Sequence, residues 1–375
     1  MKILYIAHYK EFGGWSQAAT DNILALDSVG VDVVCRNVTL TKDKDDISPR
    51  ILQLEQKDSK DCDICIQHVL PHHYVKSDGF KKTIAIMETE TLNIEHLNWY
   101  YLLSTMDEVW VPNKTSMEAL KGLDVPVSLV HHTHDVVTFK KQYKQISIAE
   151  CQDSFKFYYI GDFNDRKNLE SVITCFHSEF EEYENVSLIL KLNKFGVAPE
   201  ELHKNTMSYL EEIKKRLRVR PSYKQEIIIS DKLTSEQLYA LHSYCDCFVC
   251  PSHGEAWSIP TFDAMAFGNT PITSKFGGPV EFIDESNWRT GKLVDGVYSC
   301  CKSKDAAFPD LFSSREYWFQ PCEMQIRNQM RCYYESWAKN PIMYEQRNKA
   351  AGIKQAEKFS YQKMAKIIKE KLNDI

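Results

Sequence analysis

No stretch of this 375-residue chain is apolar for long enough to cross a bilayer. The apolar start Met1–Ala7 is broken at once by Tyr9, Lys10 and Glu11, too soon for a secretory signal. The cytoplasm is therefore the expected compartment. A basic excess is also missing: 46 Lys and Arg face 52 Asp and Glu, for a formal net charge of −6. That balance gives no electrostatic footprint for nucleic acid. There is no cysteine framework either. The 12 cysteines are scattered, several fall in strand-like runs (Cys35, Cys65, Cys247), and Cys62 and Cys65 have no second pair at zinc-finger spacing. Buried, reduced thiols are expected. What remains is a soluble globular composition, 43% hydrophobic and 26% charged, in a chain long enough for two domains.

The hydrophobic pattern alternates strand and helix. Residues 2–7 predict a strand, Ser16–Val29 a helix ended by Gly30, and Val31–Cys35 a second strand. This β-loop-α-β opening is half of a doubly wound sheet. In its loop, Gly13 and Gly14 would let backbone N–H groups approach a ligand, or serve only as a flexible turn. The charge run Thr41–Asp46 predicts a solvated loop. Further strands are predicted at Ile64–Gln67, Thr83–Met87, Glu108–Val111 and Val127–Val130, with a helix near 95–104. Periodicity lapses over 137–153, which marks the boundary between an N-terminal domain, 1–145, and a second domain, 146–354. In the second, strands at 156–160, 187–192 and 226–230 alternate with helices near 168–181, 200–217 and 234–243. The fold class is α/β, with ligand expected between two such domains. The basic, amphipathic segment from about 355 to 375 predicts a helix packing back on the first domain, with an anionic membrane surface as the second reading.

The densest chemistry lies at 246–274. Asp246–Cys250 predicts a buried strand, Pro251–Gly254 a turn, 260–267 a short helix opened by Pro260 and closed by Gly268, and Thr270–Ser274 the next strand. Such a unit puts its loop at the carboxyl edge of a parallel sheet, where free N–H groups attract anions and two acids, Glu255 and Asp263, accept from hydroxyls. Read on spacing alone, Glu255 is equally a solvated loop acid and Asp263 a helix-dipole partner.

The wider stretch Pro251–Ile272 resembles the donor-site signature of retaining glycosyltransferases of family 4, the glycosyltransferase group 1 proteins. Gly161–Asn168, Leu188–Lys191, Gly277–Ile283 and Thr290–Val294 extend the likeness, as do Met87–Glu90, Glu108–Pro112 and Val130–Asp135 in the first domain. The resemblance implies a GT-B architecture, two Rossmann-like doubly wound parallel-sheet domains facing across a cleft. The first would bind a glycan, lipid or other hydroxyl acceptor. The second would bind a nucleotide-diphosphate sugar, UDP- or GDP-linked, carrying a hexose-type sugar. It implies catalytic roles for Arg166 and Lys167 on the diphosphate and for Glu255 beside the anomeric carbon. Donor contacts would come from Gly14, Lys191, backbone at Trp257, Ser258 and Ile259, and Asp263 at the ribose. Relatives usually have Glu where Asp263 stands and often Gly where Ser258 stands. Lys191, in a buried-type run, calls for a phosphate or a facing carboxylate. Glu88, near where many relatives carry His, and His132 would line the acceptor side or touch the donor sugar.

No metal and no other cofactor is implied. Successive residues near a strand end point to opposite faces, which sets His131 apart from His132 and argues against a shared metal. Two other readings of the same residues are a sugar-nucleotide epimerase and a non-catalytic sugar-nucleotide-binding protein. Oligomeric state and any peripheral contact with the inner face of a membrane are not written in the pattern.

Overall fold

The computed structural model describes residues 1–40, 47–144, 146–303 and 310–373. The run 41–46, read as a solvated loop, lies outside the described residues. The chain divides into two compact units. The first comprises Met1–Thr138, Phe308–Tyr317 and Ala356–Ile375; the second comprises Phe139–Ala307 and Trp318–Gln355.

The first unit contains β1 (Lys2–Ala7), α1 (Gly14–Ser28), β2 (Asp32–Asn37), α2 (Pro49–Glu55), β3 (Ile64–His68), β4 (Lys82–Ile86), α3 (Asn98–Ser104), β5 (Glu108–Val111), α4 (Lys114–Ala119) and β6 (Val127–Leu129). Its six strands are parallel, in the order β2-β1-β3-β4-β5-β6. Parallel strands are covered on both faces, so they read as nearly unbroken apolar runs; Ile64, Cys65 and Ile66 in β3 are all buried.

The second unit contains β7 (Phe155–Asp162), α5 (Leu169–Glu179), β8 (Val186–Asn193), α6 (Pro199–Leu217), β9 (Ile227–Ile229), α7 (Ser235–Tyr244), β10 (Cys247–Cys250), α8 (Ile259–Phe267), β11 (Ile272–Ser274), α9 (Pro279–Phe282) and β12 (Lys292–Val294). A two-stranded sheet of β13 (Gly296–Cys300) and β14 (Tyr317–Pro321) follows, then α10 (Glu323–Lys339) and α11 (Pro341–Ala356). The large sheet runs β9-β8-β7-β10-β11-β12. Numbered from β7, that is the 3-2-1-4-5-6 order of a dinucleotide fold, and the order reverses between β7 and β10. Helix starts are fixed locally: Asn168 caps α5 through Ser171 N, and Thr234 and Gln237 form a capping box on α7.

Two features differ from the expected ranges. The first unit ends at Thr138 rather than 145, because Phe139 packs its ring on Phe262 and Phe267, at 6.1 and 5.5 Å, in the second unit. It also takes back the stretch before β14, where Tyr317 bridges Leu92 and buried Glu316 accepts from Thr91 Oγ1 at 2.6 Å.

The last helix, α12 (Tyr361–Asn373), belongs to the first unit. Its stripe Met364, Ala365, Ile368 and Leu372 is buried, and the last two join the core built by Ile3, Tyr5 and Ile23. The stripe read as a membrane surface is therefore occupied by that core, while Lys363, Lys366, Ile367 and Glu370 face outward. The helix is pinned by Lys369 Nζ on the carbonyl of Val29 (2.8 Å) and Lys371 Nζ on Ser128 Oγ (2.9 Å). Tyr361 donates its hydroxyl to Asp21 of α1.

Burial pushes the Asp21 carboxyl up to about 7, against the opposing hydrogen bonds of Tyr361 and Gln17. The folded carboxyl thus holds its proton more tightly than the unfolded one. Its stabilising contribution is present below the unfolded value, near pH 4, and is lost as pH rises towards 7. The melting temperature should accordingly fall by several degrees between pH 4 and pH 7.5, and Asp21→Asn should flatten that slope; thermal unfolding across a pH series checks it.

Candidate active site

The reversal between β7 and β10 brings two loops together at the carboxyl ends of the strands. After β7 the chain makes a single 3₁₀ turn, Asp165–Lys167, capped by the Asn164 side chain on Lys167 N and followed by Asn168 in the left-handed region at φ 51°. Asn168 also donates its amide to the carbonyl of Pro251 at 2.8 Å. His253 N and Ser252 Oγ donate to the carbonyl of Arg166, at 2.8 and 3.0 Å. Backbone carbonyls, met by one backbone N–H and two uncharged side chains, therefore stitch the β7 and β10 loops together before any charged side chain acts.

The charged groups then meet. Lys167 Nζ lies 2.6 Å from Glu255 Oε1, and an Arg166 guanidinium nitrogen lies 3.6 Å from the same oxygen. Arg166 also donates to the carbonyl of Gly254 at 2.6 Å. Burial alone would raise the Glu255 carboxyl, but Lys167 and Arg166 outweigh it and hold the group below the ordinary carboxylate range. The cluster is an ionised acid between two cations.

Two glycines make room for this loop. A Cβ on Gly277, at φ +69°, would lie 1.8 Å from the Glu255 carbonyl oxygen, and one on Gly278 would lie 2.3 Å from Trp257 Cα. Gly278 N donates to that carbonyl at 3.2 Å. Trp257 is buried against Phe282, with ring centroids 5.3 Å apart. Ser258 caps α8 at φ 68°, a left-handed conformation that Gly adopts without cost, and its hydroxyl pairs with Thr261 Oγ1 at 2.7 Å. Ile259 starts α8, and Asp263 is buried one turn further on.

Lys191, near the end of β8, is buried, and its amine is met by neutral oxygens rather than a carboxylate. It donates to the carbonyl of Leu192 (2.9 Å) and to Asn193 Oδ1 (2.6 Å). Burial lowers the amine to about 8, against the pull of Asp162 and Asp231.

Gly14, Glu88 and His132 belong to the first unit. Gly14 is the first residue of α1, and the adjacent Gly13, at φ 104°, carries the conformation that needs a glycine. Glu88 and His132 do meet: Nε2 of His132 lies 2.9 Å from Glu88 Oε1. His68, which the sequence pattern did not single out, completes this group with Nε2 3.0 Å from the same oxygen. Of the other histidines, His131 Nδ1 lies on the carbonyl of Pro112 (2.8 Å), and among the described residues no group of three or more His, Cys, Asp or Glu is arranged to hold a metal ion. All 12 cysteines, Cys62 and Cys65 included, are free thiols.

Two six-stranded parallel sheets with helices on their faces, one in each unit, define a protein of the GT-B fold. Residues 141–299, which carry Arg166, Lys167, Lys191 and Glu255–Asp263, match the family described as glycosyl transferases group 1. Among solved structures the chain is similar to Anabaena HepE in complex with UDP and glucose (12% identity, TM-score 0.63, all of both chains covered). It is also similar to the sucrose-phosphate synthase of Thermosynechococcus elongatus (14%, TM-score 0.65, 100% of this chain and 98% of that one). A third is the trehalose-6-phosphate protein of E. coli bound with UDP-2-fluoro glucose (10%, TM-score 0.65, 100% and 99%). At these identities the likeness shows the fold. No curated protein matches by sequence.

The buried pairing sets a stability test. Lys167→Met strands an acid that is largely out of water and should cost on the order of 3 kcal/mol, the lower end of the range for a broken buried pair because Arg166 stays close. Lys167→Met combined with Glu255→Gln should cost less than that single change, as read by urea denaturation.

Proposed function

We propose that this protein is a retaining, metal-independent glycosyltransferase that moves a hexose-type sugar from a UDP- or GDP-linked donor to a glycan, lipid or other hydroxyl acceptor. The observation that carries the reading is the convergence of Arg166, Lys167 and Glu255 at the β7/β10 switch point. The family match over residues 141–299 supports it, and the solved neighbours bound to UDP and UDP-2-fluoro glucose favour a uridine donor.

In this reading the bond between the anomeric carbon and the diphosphate oxygen breaks with its electron pair going to phosphate. Arg166, binding two oxygens at once, and Lys167, a point charge, stabilise the charge that develops there. Helix α8 presents its N-terminal end to the same anion. Glu255 steadies the electron-poor sugar carbon and its hydroxyls, and Asp263 accepts from the ribose. The acceptor oxygen attacks the anomeric carbon from the face the phosphate leaves, and its proton passes to a leaving phosphate oxygen. No protein nucleophile is required, and the two cations fill the role a divalent ion would otherwise have. The second unit takes the donor and the first unit takes the acceptor.

Release of nucleoside diphosphate from a panel of UDP and GDP sugars, in EDTA, tests this reading. We expect turnover with at least one donor, a loss of about 100-fold or more in Glu255→Ala, and about 10-fold or greater weakening of UDP or GDP binding in Arg166→Ala. Isomerised sugar nucleotide without transfer would point to an epimerase. Donor binding without turnover, unchanged in Arg166→Ala, would remove the reading altogether.

A further inference from the structure

The loop after β3 is held at its near end by one buried imidazole, that of His8. Val38 N, just past β2, donates to the carbonyl of Ala7 at 2.9 Å, and beyond that rung the His8 ring continues the pairing in both directions. Its Nδ1 lies 2.6 Å from the carbonyl of Val38. Its Nε2 accepts from the N–H of Leu70, two residues past β3, at 3.0 Å. Leu70 opens the single turn Pro71–His73 and accepts from His73 N at 2.8 Å. The far end of the loop is fixed separately. There the Tyr74 hydroxyl donates to the carbonyl of Ile86 at 2.6 Å, and the Gln67 side chain exchanges two bonds with Val75, at 2.6 and 2.9 Å.

These two bonds dictate the state of the His8 ring. A backbone carbonyl only accepts and a backbone N–H only donates, so Nδ1 carries the hydrogen and Nε2 is bare. A second proton could go only to Nε2, where it would face the Leu70 N–H. Protonation and the Leu70 bond therefore exclude each other, while the Val38 bond survives in either state. The surroundings make that proton costly as long as the loop is closed. The His73 ring, on the turn, lies 5.6 Å from His8 and 4.1 Å from His72, and His68 approaches from the end of β3. Glu11, on the loop of His8 itself, opposes them, with one carboxylate oxygen already accepting from Leu40 N at 2.6 Å. Burial, backed by His73 and His68, prevails over Glu11 and the Val38 carbonyl and holds the ring below its ordinary value. A ring freed from the closed loop titrates as an ordinary histidine, near 6.5.

We infer that His8 is an acid-sensitive latch: neutral, it ties the loop Leu70–His73 to the carboxyl ends of β1 and β2, and protonated, it lets that loop go. The closed state binds fewer protons than the open one, so closure is at full strength above about pH 6.5 and weakens as pH falls below it. Doubly wound sheets take their ligands at the carboxyl ends of the strands, so the loop borders the ligand edge of the first unit. That the ligand there is an acceptor rests on the glycosyltransferase reading; the latch rests on the two ring bonds alone. Amide hydrogen exchange of the full chain at pH 7.5 and 5.5, corrected for the intrinsic pH dependence of exchange, tests it. Leu70 should lose about 10-fold in protection at pH 5.5, as one histidine titrating near 6.5 requires, while Ile66 in the middle of β3 keeps its own. A long-range proton–nitrogen NMR spectrum at pH 7.5 should show His8 as the Nδ1–H form. His8→Gln offers an acceptor and a donor but takes up no proton, so its Leu70 protection should be equal at the two pH values. Unchanged Leu70 protection in the unaltered protein, equal losses at Leu70 and Ile66, an Nε2–H ring, or the same loss in His8→Gln would each overturn the inference. UDP binding and its dependence on Arg166, measured in parallel, report separately on the glycosyltransferase reading.

Discussion

A carboxylate taken out of water must find positive charge, and Glu255 finds it in Lys167 and Arg166. Much of the second unit's local structure follows from that requirement. The ion pair ties the loop after β7 to the loop after β10. The Asn168 side-chain amide on the carbonyl of Pro251 and the His253 backbone N–H on the carbonyl of Arg166 repeat the tie without charge. His253 is held in turn by β14, through its ring on the carbonyl of Phe319 and the Phe319 amide on its own carbonyl, each at 2.8 Å, and its ring stacks on Trp318. The consequence is a pair of cations held in place by the protein's own contacts, which the proposed electrostatic catalysis would use.

The sheets were legible because parallel strands buried on both faces leave unbroken apolar runs, and because Gly and Pro bracketed α8. The charged cluster of the second unit was legible for a different reason: Arg166, Lys167 and Glu255 stand in stretches whose residue types are tightly constrained by the loop geometry, Gly277 and Gly278 among them. Short elements escaped. Helices α2 and α4 are 7 and 6 residues long, too brief for a helical period to register. His68 was missed because a histidine at the end of a buried strand carries no local signal of its partner 20 residues on. For Lys191 the burial argument asks only for an acceptor; the protein itself supplies a backbone carbonyl and an amide oxygen, which meet that need without a carboxylate. The return of the stretch before β14 to the first unit depends on Thr91 and Glu316, which are 225 residues apart. Nothing in a window of sequence reports such a pairing.

Each unit thus places an acid at the carboxyl edge of its sheet but surrounds it differently. Around Glu255 stand an ammonium and a guanidinium; beside Glu88 stand two imidazoles and a phenol one step removed. The first environment carries two full positive charges against one acid, which is what a bound anion would require.

The most direct measurement is a crystal structure of the chain soaked with a UDP sugar and with UDP alone. The account predicts the diphosphate within hydrogen-bonding distance of the Arg166 guanidinium and Lys167 Nζ, at the start of α8, with Glu255 beside the sugar carbon that was bonded to it. A diphosphate bound elsewhere on the second unit, with the Lys167–Glu255 pair untouched and closed to it, would contradict the account.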